Sequence, residues 1–212
     1  TALPKTTMPK RAIVLSLGGS LIVPEKMDLN FLRNFRKVIE KNTNKYKFVI
    51  VCGGGSVARK YISALKEEGK SEYLQSLAGI AITRVNARFM SYFFDKDPEF
   101  GIPHDMKHVE TLLKKNNIIF CGALRYAPNQ TSDATACRLA AYLKSEFINL
   151  TNVKGLYDKN PMKFKDAKFI PNTTRQNLAK IISKIEQKPG MHGPVDQTAM
   201  KIILQNKLKV YI

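Results

Sequence analysis

Two apolar stretches of this chain each end in a glycine cluster that is followed at once by the start of a helix pattern. Residues 12–17 lead into Gly18-Gly19-Ser20, and residues 48–52 lead into Gly53-Gly54-Gly55-Ser56. Glycine lets the backbone approach an anion closely, and a helix N-terminus supplies free N–H groups and a positive dipole end. Because ligands of open α/β sheets bind at the carboxyl ends of the strands, the two turns predict one phosphate-binding crevice.

One such turn alone would be a weak signal, because glycines after a strand are more often ordinary turn residues. Neither turn contains the Gly-Lys-Ser/Thr of a Walker phosphate loop, and neither has the glycine spacing of the dinucleotide-binding fingerprint. The repetition of the turn, and not its exact sequence, therefore carries the prediction.

Strand-like and helix-like patterns alternate along the chain. Most of the strand-like runs are continuously apolar, as in strands buried on both faces of a parallel sheet. Helix patterns lie between them, with Asp28 and Thr174 as expected N-caps and Pro194 at an expected helix start. This alternation predicts an α/β fold with a largely parallel sheet flanked by helices. The predicted strands are residues 12–17, 47–52, 117–122, 146–151 and 208–212.

The 212 residues predict one domain over residues 11–212. Residues 1–10 are polar and contain Pro4 and Pro9, so we expect a disordered leader or a cloning remnant. Residues 155–170 are basic, turn-rich and aromatic, and predict a hairpin or lid.

The net charge of +18 favours anionic ligands. The lysines are dispersed and do not form a tail or an aromatic-interleaved stripe, so nucleic acid is not expected as a partner. No apolar run reaches about 18 residues, so we expect no membrane partner. Cys52, Cys121 and Cys137 lack CxxC spacing and resemble small buried residues of a reducing compartment, which favours the cytoplasm.

Polar residues also follow the third and fourth predicted strands. Residues 128–134 place Thr131, Ser132 and Asp133 at a helix start, where they could bind a phosphate or serve only as an N-cap cluster. Residues 150–157 end the fourth strand in polar residues and a glycine. Four strand ends would thus present polar residues or glycines at one edge of the sheet.

Together these segments resemble the amino acid kinase family, and within it the archaeal-type uridylate (UMP) kinases. The resemblance covers residues 11–212, and six motifs in order carry it. They are Leu17-Gly18-Gly19-Ser20, residues 53–61 (GGGSVARKY), residues 79–87 (GIAITRVNA), Thr131-Ser132-Asp133-Ala134, residues 151–157 (TNVKGLY) and residues 194–203 (PVDQTAMKII).

The resemblance implies a three-layer αβα sandwich with a central mostly parallel sheet, and transfer of the γ-phosphoryl group of ATP to UMP to give UDP. It places the phosphate acceptor over the N-terminal half of the domain and ATP over the C-terminal half. It also implies Mg²⁺ bridged by the ATP phosphates, without a dedicated protein metal site, and a homo-hexamer. Catalytic roles fall to Asp133, Lys201 and Arg59. ATP contacts fall to Gly18, Gly19, Ser20, Gly55, Arg59, Thr151, Tyr157 and Asn160, and acceptor contacts to Gly54, Ser76, Thr83, Thr131 and Ser132.

The sequence departs from the pattern of this family at several positions. Ser16 stands where many members carry a lysine, and Ser76 where an acid usually binds the ribose of UMP. Lys154 and Asn160 each replace a common acid, and residues 123–127 make a longer link than usual. Two alternatives therefore stay open: a kinase of the same fold that acts on another small acid or phosphate, and a nucleotide-binding relative without catalysis.

Overall fold

The computed structural model describes residues 10–97, 101–127, 131–186 and 194–212. A five-stranded sheet forms its centre, made of β1 (Arg11–Leu17), β2 (Tyr46–Cys52), β3 (Ile118–Cys121), β4 (Glu146–Leu150) and β5 (Val210–Tyr211). The strand order is β3-β2-β1-β4-β5, and each pairing of neighbours is parallel. The prediction of an α/β fold with a parallel central sheet is confirmed.

Helices connect the strands. Most begin at a side-chain cap, including the two predicted ones: Asp28 accepts a hydrogen bond from Phe31 N at 2.9 Å, and Thr174 accepts one from Asn177 N at 3.1 Å. The helices are α1 (Gly19–Ile22), α2 (Leu29–Lys41), α3 (Gly55–Glu67), α4 (Glu72–Phe93), α5 (Met106–Lys115), α6 (Ser132–Tyr142), α7 (Arg175–Glu186) and α8 (Gln197–Gln205).

The strand order reverses between β1 and β4. From β1 the chain moves outward to β2 and β3, and then returns past β1 to β4 and β5. Because parallel crossovers are right-handed, the reversal places α2 to α5 on one face of the sheet and α6 to α8 on the other. The contacts agree, since α3 packs on α4 while α6 and α7 pack on α8. The result is the three-layer sandwich implied by the resemblance.

The two strands that lead into the glycine turns form the centre of the core. Residues 13–17 of β1 and 48–52 of β2 are all buried. Burying one large apolar side chain stabilises the fold by roughly 1.5–3 kcal/mol, so these strands hold the turns on a rigid base. Cys52, Cys121 and Cys137 are buried free thiols, as predicted.

Several local predictions differ from the structure. Pro194 precedes the last helix by three residues, because Asp196 is the N-cap and accepts from Ala199 N at 2.9 Å. Residues 155–170 contain one antiparallel bridge, between Tyr157 and Phe169, rather than a full hairpin.

The prediction for residues 1–10 lies outside the described residues except at Lys10. In the part of the chain that the structure describes, no helix has the length and apolar character needed to span a membrane.

Candidate active site

The two glycine turns touch each other at the carboxyl edge of the sheet. A Cβ placed on Gly19 would lie 2.1 Å from Gly55 N and 2.6 Å from the carbonyl carbon of Gly54. A Cβ on Gly53 would lie 2.7 Å from Gly19 N, and Gly55 has a φ of +64°, which favours glycine. Only residues without side chains allow this approach, so the two turns form one continuous backbone surface.

Helix α4 fixes the second turn from the side. Asn86 Nδ2 donates to the carbonyl oxygen of Gly53 at 2.7 Å, and Thr83 lies beside Gly54. The hydroxyl of Thr83 donates to Ile80 O at 2.7 Å and accepts from Ala123 N at 2.9 Å. Thr83, predicted to contact the acceptor, therefore ties α4 to the segment that follows β3.

A cavity of about 350 Å³ opens on the other side of the first turn, between the ends of β1 and β4. This is the point where the strand order reverses, the usual ligand crevice of open α/β sheets. Six residues of the predicted site line the cavity: Gly18, Ser20, Asp133, Thr151, Tyr157 and Asn160. A larger cavity of about 550 Å³ lies beside α7 and β5, and none of the predicted site residues lines it.

Asp133 joins the first strand to the helix that crosses beneath it. The fully buried hydroxyl of Ser16, in β1, donates to Asp133 Oδ1 at 2.6 Å, and Asp133 lies in the first turn of α6. Burial raises the pKa of Asp133, the hydrogen bond from Ser16 opposes the rise and the nearby carboxylate of Asp196 adds to it, so that the pKa is about 6. A carboxyl with a raised pKa at a cavity wall is typical of a functional site.

Thr131 links the starts of two helices. As the N-cap of α6 it accepts from Ala134 N at 3.0 Å, and its hydroxyl donates to Asp196 Oδ2 at 2.5 Å. The N-cap alternative for this cluster is therefore correct for Thr131. Because its hydroxyl proton is engaged with Asp196, Thr131 would have to change partners to donate to an acceptor nucleotide, whereas Ser132 Oγ faces the Gly53 turn.

One end of the cavity contains the aromatic ring of Tyr157. Tyr157 packs edge-on against Phe169 with ring centroids 5.5 Å apart, and Lys154 Nζ lies 5.2 Å from the centroid of Phe169. Thr151 Oγ1 accepts from Val153 N at 3.1 Å, and Asn160 Oδ1 accepts from Met162 N at 2.9 Å. Both polar side chains thus shape the turns that form the cavity wall.

Three predicted residues lie on helices around this edge and do not line the cavity. Arg59 is exposed and lies in the second turn of α3. Ser76 is half-buried in the first half of α4, and Lys201 is exposed in the middle of α8. Within the described ranges no ion pair involves the Arg59 guanidinium or the Lys201 ammonium.

The sequence reasoning assigned no function to three residues that the structure brings to the site. Asn86 holds the Gly53 carbonyl, Asn149 donates to the carbonyl of Pro194, and Lys159 lines the cavity. Asn149 and Asn86 are polar residues within otherwise apolar stretches of a strand and a helix, and this pattern could have indicated a function for them. Nothing in the sequence distinguishes Lys159 from the other lysines and arginines, which number 35 in all.

Comparison with known proteins agrees with this architecture. A sequence model of the amino acid kinase family matches residues 11–212. The uridylate kinase of Thermococcus kodakarensis is 35% identical over 201 residues, which cover 94% of this chain and 88% of that protein.

Solved structures of two kinases have folds similar to that of this chain. The crystal structure of uridylate kinase from Archaeoglobus fulgidus superimposes with a TM-score of 0.79 at 35% identity, covering 94% of this chain and 88% of that one. Aspartate kinase from Synechocystis has a TM-score of 0.70 at 16% identity, covers 94% of this chain and 37% of that one, and shares the fold.

Proposed function

The chain belongs to the amino acid kinase family, and on that premise we propose that it is a UMP kinase, which transfers the γ-phosphoryl group of ATP to UMP. The observation that carries the proposal is the contact between the two glycine turns, with a cavity on one side and α4 on the other. Two phosphorylated ligands laid end to end would meet above this contact. The uridylate kinase relatives support UMP as the acceptor.

Phosphoryl transfer requires mainly positioning and charge neutralisation from the protein. The backbone N–H groups of Gly18, Gly19 and Gly55 would hold the ATP phosphates, and the N–H group of Gly54 would hold the phosphate of UMP. Because both sets lie on one backbone surface, the attacking and leaving oxygens can be aligned without any large closure of the chain.

Asp133 and Lys201 would act on the transferred group. Asp133 is the one acid among the described residues that line the cavity, and it would orient the cations that neutralise the phosphoryl charge. Among all the residues that the structure describes, no group of three or more His, Cys, Asp or Glu could hold a metal ion. We expect Mg²⁺ to enter as part of MgATP. Its contribution there is to neutralise the phosphates.

The remaining residues would bind the rest of each substrate. Ser20, Thr151, Tyr157 and Asn160 lie around the cavity proposed for ATP, where Tyr157 could contact the adenine ring. Thr83 lies beside Gly54 and Ser132 Oγ faces the Gly53 turn, and these two residues would bind UMP together with Ser76 and Thr131. We also propose that the protein acts in the cytoplasm and assembles as a hexamer. Light scattering on the purified protein would measure the subunit number.

A direct assay tests the proposed reaction. ATP, Mg²⁺ and UMP should give UDP and ADP in equal amounts with saturation in both substrates, while CMP, isopentenyl phosphate and an amino acid are compared as acceptors. Folded protein that forms no UDP at millimolar UMP contradicts the proposal. Turnover with a different acceptor would support the other kinase, and ATP binding without turnover would support a non-catalytic relative.

The guanidinium of Arg59, which the resemblance assigns to catalysis and to ATP, is expected to bind the acceptor phosphate as well. Arg59→Ala should raise the KM for UMP about tenfold or more, because a charge-assisted contact of about 1.5–3 kcal/mol is lost, while the KM for ATP changes less. Steady-state kinetics with each substrate varied in turn measures this. Lys60→Ala, the adjacent exposed cation on α3, is the control and should leave both constants near their original values.

The acid side of the pH profile is expected to report Asp133. Its carboxylate would be the active form, so kcat/KM should fall as the pH drops through about 6, where the group becomes protonated. Ser16→Ala removes the hydrogen bond that favours the ionised form, so it should move this fall to a higher pH. Ser63→Ala, at an exposed site on α3, should leave the profile unchanged, and an unmoved profile in Ser16→Ala would refute the assignment.

A further inference from the structure

Two exposed tyrosines face each other above the carboxyl edge of the sheet, outside the residues assigned above. Tyr73 lies in the first turn of α4, and Tyr126 lies in the segment that follows β3. Their ring centroids are 4.9 Å apart and the ring planes meet at 87°. Tyr73 is 51% exposed and Tyr126 is 39% exposed, so the pair contributes little to the core and presents aromatic surface to the outside.

The first half of α4 extends beyond the sheet. The buried residues of this helix are confined to its second half, from Thr83 to Ser91. The edge of the sheet meets the helix near Thr83 and Asn86, which bond to Ala123 and Gly53. Residues 72–82 therefore extend past the glycine turns, with α3 packed along one side of them, where Gly79 adjoins Ile62. Tyr73 lies ten residues, or about 15 Å along the helix, beyond Thr83.

The segment that carries Tyr126 is held in place by three contacts. Arg84, in α4, donates to the carbonyl oxygen of Ala123 at 3.2 Å and also to that of Leu124. Arg125 pairs with Asp105 at 3.2 Å. Tyr126 therefore extends from a fixed base toward the projecting end of α4, and its ring is positioned before any ligand arrives. Such positioning lowers the entropy lost when a ligand binds.

We propose that the Tyr73–Tyr126 pair is the contact surface for the base of the acceptor nucleotide, and so a determinant of acceptor specificity. The inference rests on the proposed function, which places the acceptor phosphate at Gly54. Gly54 adjoins Thr83, since a Cβ on Gly54 would lie 3.5 Å from Thr83 Cγ2. A nucleoside monophosphate anchored there extends away from the sheet along α4, and its base reaches the space that the two tyrosine side chains enclose.

The chemistry of the pair fits this assignment. The edge-to-face arrangement leaves a ring face free, and a pyrimidine can stack on it. The tyrosine hydroxyls add hydrogen-bonding capacity for the polar edge of the base. Acceptors without a base, such as an amino acid or isopentenyl phosphate, would gain nothing from this surface.

Tyr126→Ala is the test, made in the full chain and assayed with ATP and UMP. Loss of one base–aromatic contact should raise the KM for UMP about tenfold, with the KM for ATP changed less than about twofold. Tyr126→Phe keeps the ring and should stay within about threefold of the original protein. Tyr92→Ala removes another exposed tyrosine, at the other end of α4, and should have no effect on either constant.

A second measurement separates base contact from a general disturbance of the site. Ribose 5-phosphate lacks the base, so as a competitor of UMP it should have the same inhibition constant with Tyr126→Ala as with the original protein. Equal weakening for UMP and ribose 5-phosphate would overturn the inference, as would an unchanged KM for UMP. A variant that changes subunit number and leaves the KM for UMP unchanged would assign the pair to an interface between copies. If the original protein forms no UDP, the proposed function itself fails.

Discussion

Asp133→Asn is expected to lower kcat for UDP formation at least about a hundredfold, equivalent to about 2.7 kcal/mol of transition-state stabilisation. Asparagine has nearly the same shape, and its amide oxygen can still accept the hydrogen bond from Ser16. What it lacks is the negative charge that would orient the cations around the transferred phosphoryl group. Initial rates at saturating ATP and UMP measure the effect.

The fold should survive this substitution. Burial favours the neutral form of the Asp133 carboxyl, as its raised pKa indicates, so a neutral residue of the same shape should be at least as stable at neutral pH. Thermal unfolding checks this point. Asp97→Asn, an exposed acid beyond the end of α4, is the matched control and should keep full activity. Unchanged turnover in Asp133→Asn would leave Asp133 with only a structural function at the start of α6.

Gly19→Ala is expected to destabilise the protein and to abolish activity together. The added methyl group would lie 2.1 Å from Gly55 N, and the opposing atoms are backbone and cannot rotate away. Overpacking of this kind costs about 3 kcal/mol or more, which corresponds to a fall in Tm of roughly 6–12 °C for a chain of this size. Thermal unfolding and the UDP assay together measure the two effects.

Gly18→Ala is the matched control because it adds the same methyl group one residue earlier. There the nearest atoms lie at 3.9 Å and 4.0 Å, which is ordinary van der Waals contact. The Tm of this variant should stay within a few degrees of the original protein. A Gly19→Ala protein as stable as Gly18→Ala would show that the two turns are not in close contact in solution.

The sequence predicted the fold because its strongest patterns were also the most buried ones. The continuous apolar runs that end at Leu17 and Cys52 became adjacent parallel strands, and the glycines after them met at one edge. Asp28 and Thr174 could be predicted as N-caps because each places a side-chain oxygen just before a helix pattern, where it can accept a hydrogen bond from a free N–H group of the first turn. The motif order also predicted the family, which the comparisons confirm.

What the sequence could not give was the pairing of polar side chains across long separations. Nothing in the sequence relates Ser16 to Asp133, or Thr131 to Asp196, because each pair meets only after the sheet has formed. The same holds for the clamp of Arg84 on the segment after β3 and for the meeting of Tyr73 with Tyr126. The roles proposed for Arg59, Ser76 and Lys201 remain predictions that kinetics must test.

The contact between the glycine turns also restricts how this protein can change. A harmful substitution in a packed core can often be rescued by a smaller residue at a neighbouring position. At Gly19 the facing atoms belong to the main chain of Gly54 and Gly55, which already lack side chains. No suppressor substitution in the facing turn can create room, so this point of the molecule has no route of evolutionary compensation through its neighbours.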